Sequence, residues 1–188
     1  MKKAGSTGGT TLSLTDKIIV LHQHLEQKGL PHAFGGALAL AWCTGQARGT
    51  IDIDVNVFVA SHRFETVLEA LPEGVEQKKT AIRQLAKEGQ ARLWWGPVPV
   101  DIFLDTTAFH EAVAQRVIRE KFVGEEIPFL ACQDLAVFKA FFNRTKDWAD
   151  LEAMVAAGTI DTTELTGVLA EYLGAYDERI GKVRALGA

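Results

Sequence analysis

The sequence predicts an α+β fold, in which a mixed β-sheet flanked by helices is followed by a C-terminal helical subdomain. Two observations support this prediction. Up to about residue 130, runs of β-branched and alternating apolar residues are interspersed with helical stripes. Beyond that point, apolar residues recur only at helical spacing. We therefore divide the chain into a small, polar, flexible tail over 1–12, an α/β domain over 13–130 and a helical subdomain over 131–188.

The helices of the α/β domain are predicted from capping residues and apolar stripes. Thr15 and Asp16 mark the start of the first helix, and Gly29 marks its end. The segment 75–88 is rich in charge, and its pattern does not decide between helix and strand. Shorter helices are predicted over 37–42, 64–71 and 108–116.

The strands are predicted from β-branched and alternating apolar residues. The clearest strand spans 50–59. Gly96 and Pro97 separate two further apolar segments, 90–95 and 98–104, and so indicate a hairpin. The remaining elements are a short strand over 31–34, a small hairpin over 121–123 and 127–130, and helices over 134–142, 147–157, 163–173 and 177–186.

The bulk composition excludes some classes of function. The 188 residues carry a formal net charge of −4, which gives no general affinity for nucleic acid or anionic membranes. No apolar run is long enough to span a bilayer, and the first residues lack the apolar segment of a signal peptide. Cys43 and Cys132 lie in apolar segments without metal-ligand spacing, so we expect free buried thiols in a reducing compartment. These observations predict a cytoplasmic protein with no membrane partner.

Gly35 and Gly36 lie between a predicted strand and a short apolar helix. Glycine lets the backbone approach a ligand closely, and N–H groups at the start of a helix bind phosphate. Such a pair is also typical of plain turns. The acidic strand that follows favours a phosphate-binding loop, and Arg48 and Thr50 beside that strand are further candidates to bind nucleotide.

Three acidic residues lie inside apolar predicted strands. Asp52 and Asp54 are separated by one residue, so their side chains point to the same face of the strand. Acids so close repel each other unless a cation lies between them, and Mg²⁺ is the usual one. Asp101 is the candidate for a third carboxylate, because a lone acid in an apolar strand is costly; Asp105 is the alternative. Carboxylates that hold metal ions on rigid elements are what phosphoryl and nucleotidyl transfer require.

The order of these residues resembles the DNA polymerase β-type nucleotidyltransferase superfamily. Its motif is an apolar residue, Gly, then Gly or Ser, and after a gap Asp, an apolar residue and Asp. Segments 35–40, 48–54 and 134–151 are similar in particular to the abortive-infection (AbiEii-like) toxin branch. The family often has Ser where this chain has Gly36, although the backbone there still binds phosphate. The separate helical domain that accompanies some minimal members is not recognisable.

The resemblance implies transfer of a nucleoside monophosphate from a nucleoside triphosphate to an acceptor, dependent on Mg²⁺ or Mn²⁺. It assigns metal binding and catalysis to three carboxylates, those of Asp52, Asp54 and Asp101. Lys139 would contact the triphosphate from the helical side, and Asp147 or Asp150 would position that lysine or the acceptor. The acceptor is left open among RNA (tRNA in particular), protein and small molecules, and an antitoxin is an implied partner.

The sequence also permits purely structural roles for most of these candidate site residues. Asp52 and Asp54 would face solvent on an edge strand, and Lys139 would extend to solvent from an apolar helix. Asp147 and Asp150 would stabilise the first turn of a helix. At the level of function, the alternatives are a non-catalytic nucleotide-binding or antitoxin-like module on the same fold, and a small-molecule nucleotidyltransferase of the aminoglycoside-modifying type.

Overall fold

The computed structural model describes residues 12–47 and 49–187. Arg48 and all but the last residue of the predicted tail over 1–12 lie outside the described residues. Within the described ranges the fold is α+β, as predicted, with one seven-stranded sheet and nine α-helices. The strands are β1 (His32–Phe34), β2 (Ile53–Ala60), β3 (Val75–Glu76), β4 (Gln90–Trp95), β5 (Val98–Asp105), β6 (Ile118–Phe122) and β7 (Glu125–Phe129). The helices are α1 (Leu14–Gln27), α2 (Gly36–Thr44), α3 (Phe64–Ala70), α4 (Lys79–Glu88), α5 (Ala108–Ala114), α6 (Cys132–Phe142), α7 (Thr145–Ala156), α8 (Thr162–Leu173) and α9 (Glu178–Leu186).

The sheet is mixed, and β2 is its central strand. The strand order is β3-β4-β5-β2-β1-β7-β6. β2 runs parallel to β5 and antiparallel to β1, and β1 is in turn parallel to β7. The predicted hairpin around Gly96 and Pro97 is present as β4 and β5. Residues on β2 and β5 therefore share one central region of the sheet.

Alternation along β2 separates a core face from a polar face. Ile53, Val55 and Val57 are almost completely buried. Helix α3 packs against β2 and α1, and α1 also contacts β7. Asp54 and Asn56 alternate with the apolar residues and line a cavity on the other face, together with residues of α6 and α7. The C-terminal helices thus cover the polar face of the central strand.

The predicted division at residue 130 does not interrupt the core. One hydrophobic cluster includes Ile102 of the sheet and Leu165 and Leu169 of α8. Helix α6 contacts α2, α7 and α8. The subdomain boundary stays a prediction, but the two parts pack together as expected for amphipathic helices that need a surface.

Cys43 and Cys132 correct the prediction of free thiols, because they form a disulfide between α2 and the start of α6. Their Cα atoms are 5.5 Å apart, although 89 residues separate them in sequence. The bond ties the helix that follows Gly35 to the helix that carries Lys139. Since disulfides are typical of oxidising compartments, the free thiols no longer support the predicted cytoplasmic location.

Reduction of this disulfide is expected to lower the free energy of unfolding by up to about 4 kcal/mol, since the bond closes a long loop in the unfolded chain. Urea denaturation with and without dithiothreitol measures the change. A variant with both Cys43→Ala and Cys132→Ala serves as the control and is expected to show no effect of the reductant. Titration of two free thiols in the unreduced protein would contradict the assignment.

None of the helices in the described ranges is both long and apolar enough to cross a membrane.

Candidate active site

The Gly35–Gly36 turn brings the start of α2 against the acidic strand. The amide N–H of Gly35 donates a hydrogen bond to the carbonyl of Asp54, 2.9 Å away. Gly36 has a φ of +54°, and a Cβ added there would lie 1.8 Å from Asp54 Oδ2. Only glycine leaves room for the Asp54 carboxylate in this conformation. The departure from the Ser that is common in similar sequences is therefore matched to the position of Asp54.

Three acidic residues point into one cavity. Asp54 on β2 is directly opposite Asp101 on β5 in the parallel pair, so their side chains lie on the same face. Asp52 lies just before β2, which begins at Ile53 and not at residue 50 as predicted, and it lines the same cavity. All three line a cavity of about 700 Å³, whereas Asp105 at the end of β5 is not part of its lining.

The surroundings of Asp54 raise the pKa of its carboxyl group. Burial raises its pKa to about 6, and the negative charges of Asp52 and Asp101 act in the same direction. Lys139 and Lys146 oppose the shift. A carboxylate in such surroundings is stabilised by a nearby cation.

Asp101 and Asp52 are held by neighbouring side chains. Arg92 on β4 donates from Nε to Asp101 Oδ1 at 2.7 Å and from Nη2 to Asp101 Oδ2 at 2.5 Å. The same Nη2 lies 3.7 Å from Asp52 Oδ2. The hydroxyl of Thr50 donates to Asp52 Oδ1 at 2.5 Å. Thr50 therefore lies in the site as a partner of an acid, and Arg92 connects two of the three carboxylates.

The chemistry of the donor set fits Mg²⁺ or Mn²⁺, which prefer carboxylate oxygens. With the side chains as they stand, however, no three acidic, histidine or cysteine residues of the described chain converge closely enough to hold a metal ion. In this arrangement both oxygens of Asp101 are engaged by Arg92.

The opposite wall of the cavity is formed by α6 and α7. The buried ammonium of Lys139 donates to Asp150 Oδ2 at 2.7 Å. Asp147 accepts from the backbone and the guanidinium of Arg144, and so it caps the start of α7. Asp150 therefore contacts Lys139. Asp147 instead caps the start of α7, which is the structural role that the sequence also allowed for it. Lys139 does not extend to solvent.

Several residues of the cavity were not predicted from the sequence. Arg92 is the most important, and the predicted hairpin contained the signal. A two-residue turn at Gly96 and Pro97 pairs Trp95 with Val98, and the antiparallel register then puts Arg92 opposite Asp101. The other unpredicted residues that line the cavity include Asn56, Phe103, Phe138 and Phe142.

Replacing Gly36 by Ala is expected to displace the Asp54 carboxylate. The added methyl group would overlap Oδ2 of Asp54, and a φ of +54° is unfavourable for any residue with a side chain. We expect the backbone strain to lower the free energy of unfolding by about 1–2 kcal/mol. We expect the misplaced Asp54 carboxylate to lower the rate of the predicted nucleotidyl transfer by about 100-fold. Denaturation and nucleotide-transfer assays measure the two effects.

Gly45→Ala is the matched control for this variant. Gly45, at the other end of α2, has a φ of +67° and no atom within 4 Å of an added Cβ. It should therefore show the stability loss without the loss of transfer. Equal transfer by the two variants would show that the position of Asp54 beside Gly36 is unimportant.

The comparisons with known proteins agree in fold. No protein-family model and no curated protein matches the sequence. The solution structure of the antibiotic-resistance factor ANT(2'')-Ia is 17% identical, with 91% of this chain and 89% of that chain aligned at a TM-score of 0.52. ANT(2'')-Ia in complex with adenylyl-2''-tobramycin aligns at 13% identity, over 91% and 94% of the two chains, with a TM-score of 0.52.

An antigenic nucleotidyltransferase-like protein from Paracoccidioides brasiliensis is a third structural match. It is 15% identical, and 90% of this chain and 92% of that chain align at a TM-score of 0.50. At such identities the likeness concerns the fold alone. The chain has a nucleotidyltransferase-like α+β fold.

Proposed function

We propose that the protein is a nucleotidyltransferase that depends on Mg²⁺ or Mn²⁺ and moves a nucleoside monophosphate from a nucleoside triphosphate to an acceptor. The observation that carries the proposal is the convergence of Asp52, Asp54 and Asp101 on one cavity, beside the backbone of Gly36. The fold shared with nucleotidyltransferase-like proteins agrees with it.

Each part of the cavity has a role in this proposal. A divalent cation bound by the three carboxylates would neutralise charge on the triphosphate and favour the acceptor's alkoxide. The backbone N–H groups from Gly36 onward, at the start of α2, bind phosphate, and Lys139 contacts the triphosphate from the opposite wall. Asp101 accepts the hydroxyl proton of the acceptor as the new bond to the α-phosphorus forms and pyrophosphate leaves. Thr50 orients Asp52, and Asp150 positions Lys139.

The charge of the cavity is compatible with RNA, protein or a small molecule as the acceptor. The acidic residues of its described lining are Asp52, Asp54, Asp101, Asp147 and Asp150, and the basic residues are Arg92, Lys139, Arg144 and Lys146. Three of the basic side chains form ion pairs with acids of the same lining. The acceptor assay below therefore includes all three classes.

The similarity to the abortive-infection branch extends this proposal. It suggests toxin-like modification of an RNA or a protein in the cytoplasm, with an antitoxin as partner. The second candidate is a non-catalytic nucleotide-binding or antitoxin-like module on the same fold. The ion pair that holds Asp101 favours this candidate if it does not open when nucleotide binds.

Incubation with Mg²⁺ and each labelled nucleoside triphosphate, in the presence of total tRNA, a protein extract or an aminoglycoside, tests the proposal. We expect transfer to one acceptor class, with pyrophosphate released. Asp101→Asn should abolish it. Asp105→Asn is the matched control, because Asp105 lies on the same strand but outside the cavity lining.

Two other results would redirect the proposal. Nucleotide binding without transfer to any acceptor would favour the non-catalytic module. No transfer and no change in melting temperature with nucleotide and Mg²⁺ would contradict both candidates.

A further inference from the structure

We infer that Arg92 gates metal binding: it holds Asp101 in a bidentate ion pair that must open before a divalent cation is bound, and the phosphates of the nucleotide open it. Arg92 is a positioning residue in this account, which rests on the proposed function. The consequence is that the metal and the nucleotide are bound together rather than separately.

The geometry makes Arg92 and a cation competitors for the same atoms. Arg92 is directly opposite Asp101 in the antiparallel pair of β4 and β5. Its Nε and Nη2 engage the two oxygens of Asp101 separately, at 2.7 and 2.5 Å. A divalent cation needs at least one of those oxygens at a shorter distance still. The guanidinium already uses one lone pair of each oxygen and places a positive charge beside them, so it opposes the cation.

The guanidinium of Arg92 also lies close to a second carboxylate. Nη2 of Arg92 lies 3.7 Å from Asp52 Oδ2, between the two acids. One guanidinium thus supplies part of the positive charge that a divalent cation would supply to Asp52 and Asp101. The fork shape of the guanidinium fits this bridging position, whereas an ammonium would contact one oxygen at a time.

The different exposure of the two side chains favours opening of the ion pair. The side chain of Arg92 is 50% exposed, whereas that of Asp101 is 16% exposed, so the arginine can leave while the acid stays. Arg92 lines the same cavity as Gly36 and Lys139, where the triphosphate is proposed to bind. Phosphate is a strong bidentate partner for arginine, and its arrival would draw the guanidinium from Asp101.

Binding of Mn²⁺, followed by electron paramagnetic resonance, tests the inference without relying on activity. Measurements are made with and without a non-hydrolysable nucleoside triphosphate analogue. We expect Arg92→Gln to bind Mn²⁺ alone about tenfold more tightly than the unmodified protein, and the enhancement by nucleotide to shrink by a similar factor. Arg119→Gln is the matched control, because Arg119 is exposed to a similar extent and forms an ion pair with Glu26, 2.6 Å away and outside the cavity. It should leave Mn²⁺ binding unchanged.

Arg92→Lys separates competition for oxygens from a general effect of charge. Lysine keeps the positive charge but cannot engage both oxygens of Asp101 as a fork. We expect this variant to show most of the gain seen for Arg92→Gln. If it binds Mn²⁺ as the unmodified protein does, charge alone sets the affinity and the inference is overturned.

Failure of the inference differs from failure of the proposed function. Normal Mn²⁺ binding that is unchanged in Arg92→Gln would overturn the inference alone. No Mn²⁺ binding by any variant, with or without nucleotide, would overturn the proposed function and the inference together.

Discussion

Asp54→Asn is expected to abolish nucleotidyl transfer and, in the metal-free protein, to raise stability at neutral pH. Burial and the charges of Asp52 and Asp101 raise the pKa of Asp54 to about 6, so its ionised form is unfavourable in the folded state. A neutral amide of the same shape removes that cost. Loss of a proposed metal ligand should lower the rate by on the order of 10³-fold.

The pH dependence of this effect has a definite sign. The folded state holds the Asp54 proton more tightly than the unfolded chain does, because the pKa of Asp54 is near 3.8 in the unfolded chain. Between those two values the folded state binds more protons, so the contribution of Asp54 to stability falls as pH rises. Above about pH 6, Asp54 is ionised in the folded state as well. Its burial then lowers the free energy of unfolding by about 3 kcal/mol. Asp54→Asn should therefore match the unmodified protein near pH 4 and exceed it above pH 6.

Thermal denaturation across this pH range, with an assay of transfer, measures both effects. Asp105→Asn is again the control for transfer, which it should retain. A variant Asp54→Asn that still transfers nucleotide at the normal rate would contradict the role of Asp54. A stability difference that grows towards acid would contradict its raised pKa.

Asp150→Ala is expected to destabilise the protein by about 3–5 kcal/mol, because it leaves a buried ammonium without the carboxylate that it contacts. The side chains of Lys139 and Asp150 are only 8% and 3% exposed, and their contact is 2.7 Å. Urea denaturation measures the loss. Lys182→Ala is the matched control, since it removes an exposed lysine–glutamate pair on α9 and should cost less than about 1 kcal/mol.

A double variant separates the structural role of this pair from its proposed role in binding. Replacing Lys139 by Met and Asp150 by Leu removes both charges together, and buried pairs replaced in this way often lose no stability. We expect most of the stability to return but nucleotide binding, measured by calorimetry, to remain weak. A stable double variant that binds nucleotide normally would show that Lys139 serves the fold alone.

The sequence was most informative where alternation was regular. The hairpin of β4 and β5 was predicted to within one residue, because Gly96 and Pro97 break two alternating apolar segments. The segment 75–88 was undecided for a physical reason. It contains a two-residue strand and then α4, in which only Leu85 is fully buried, so apolar residues are few among the charged ones. The strand β6 begins at Ile118, earlier than predicted, on a half-exposed edge of the sheet.

The candidate site was predictable in part for related reasons. Asp52 and Asp54 are predictable from their two-residue spacing, and Asp101 is predictable because an acid inside an apolar strand is costly. The parallel pairing of β2 with β5 puts Asp54 opposite Asp101. The disulfide was not predictable, because no local spacing connects Cys43 with Cys132 across 89 residues. Arg92 was overlooked, although the hairpin register fixes its position opposite Asp101.

The central claim is that the carboxylates of Asp52, Asp54 and Asp101 bind a metal–nucleotide complex. Crystals grown with Mn²⁺ and a non-hydrolysable nucleoside triphosphate analogue test it directly through the anomalous signal of manganese. We expect a manganese peak in contact with Asp54 and Asp101, phosphate density next to Gly36, and the guanidinium of Arg92 turned away from Asp101. Nucleotide bound with no manganese between these acids, or manganese bound only elsewhere, would contradict the claim.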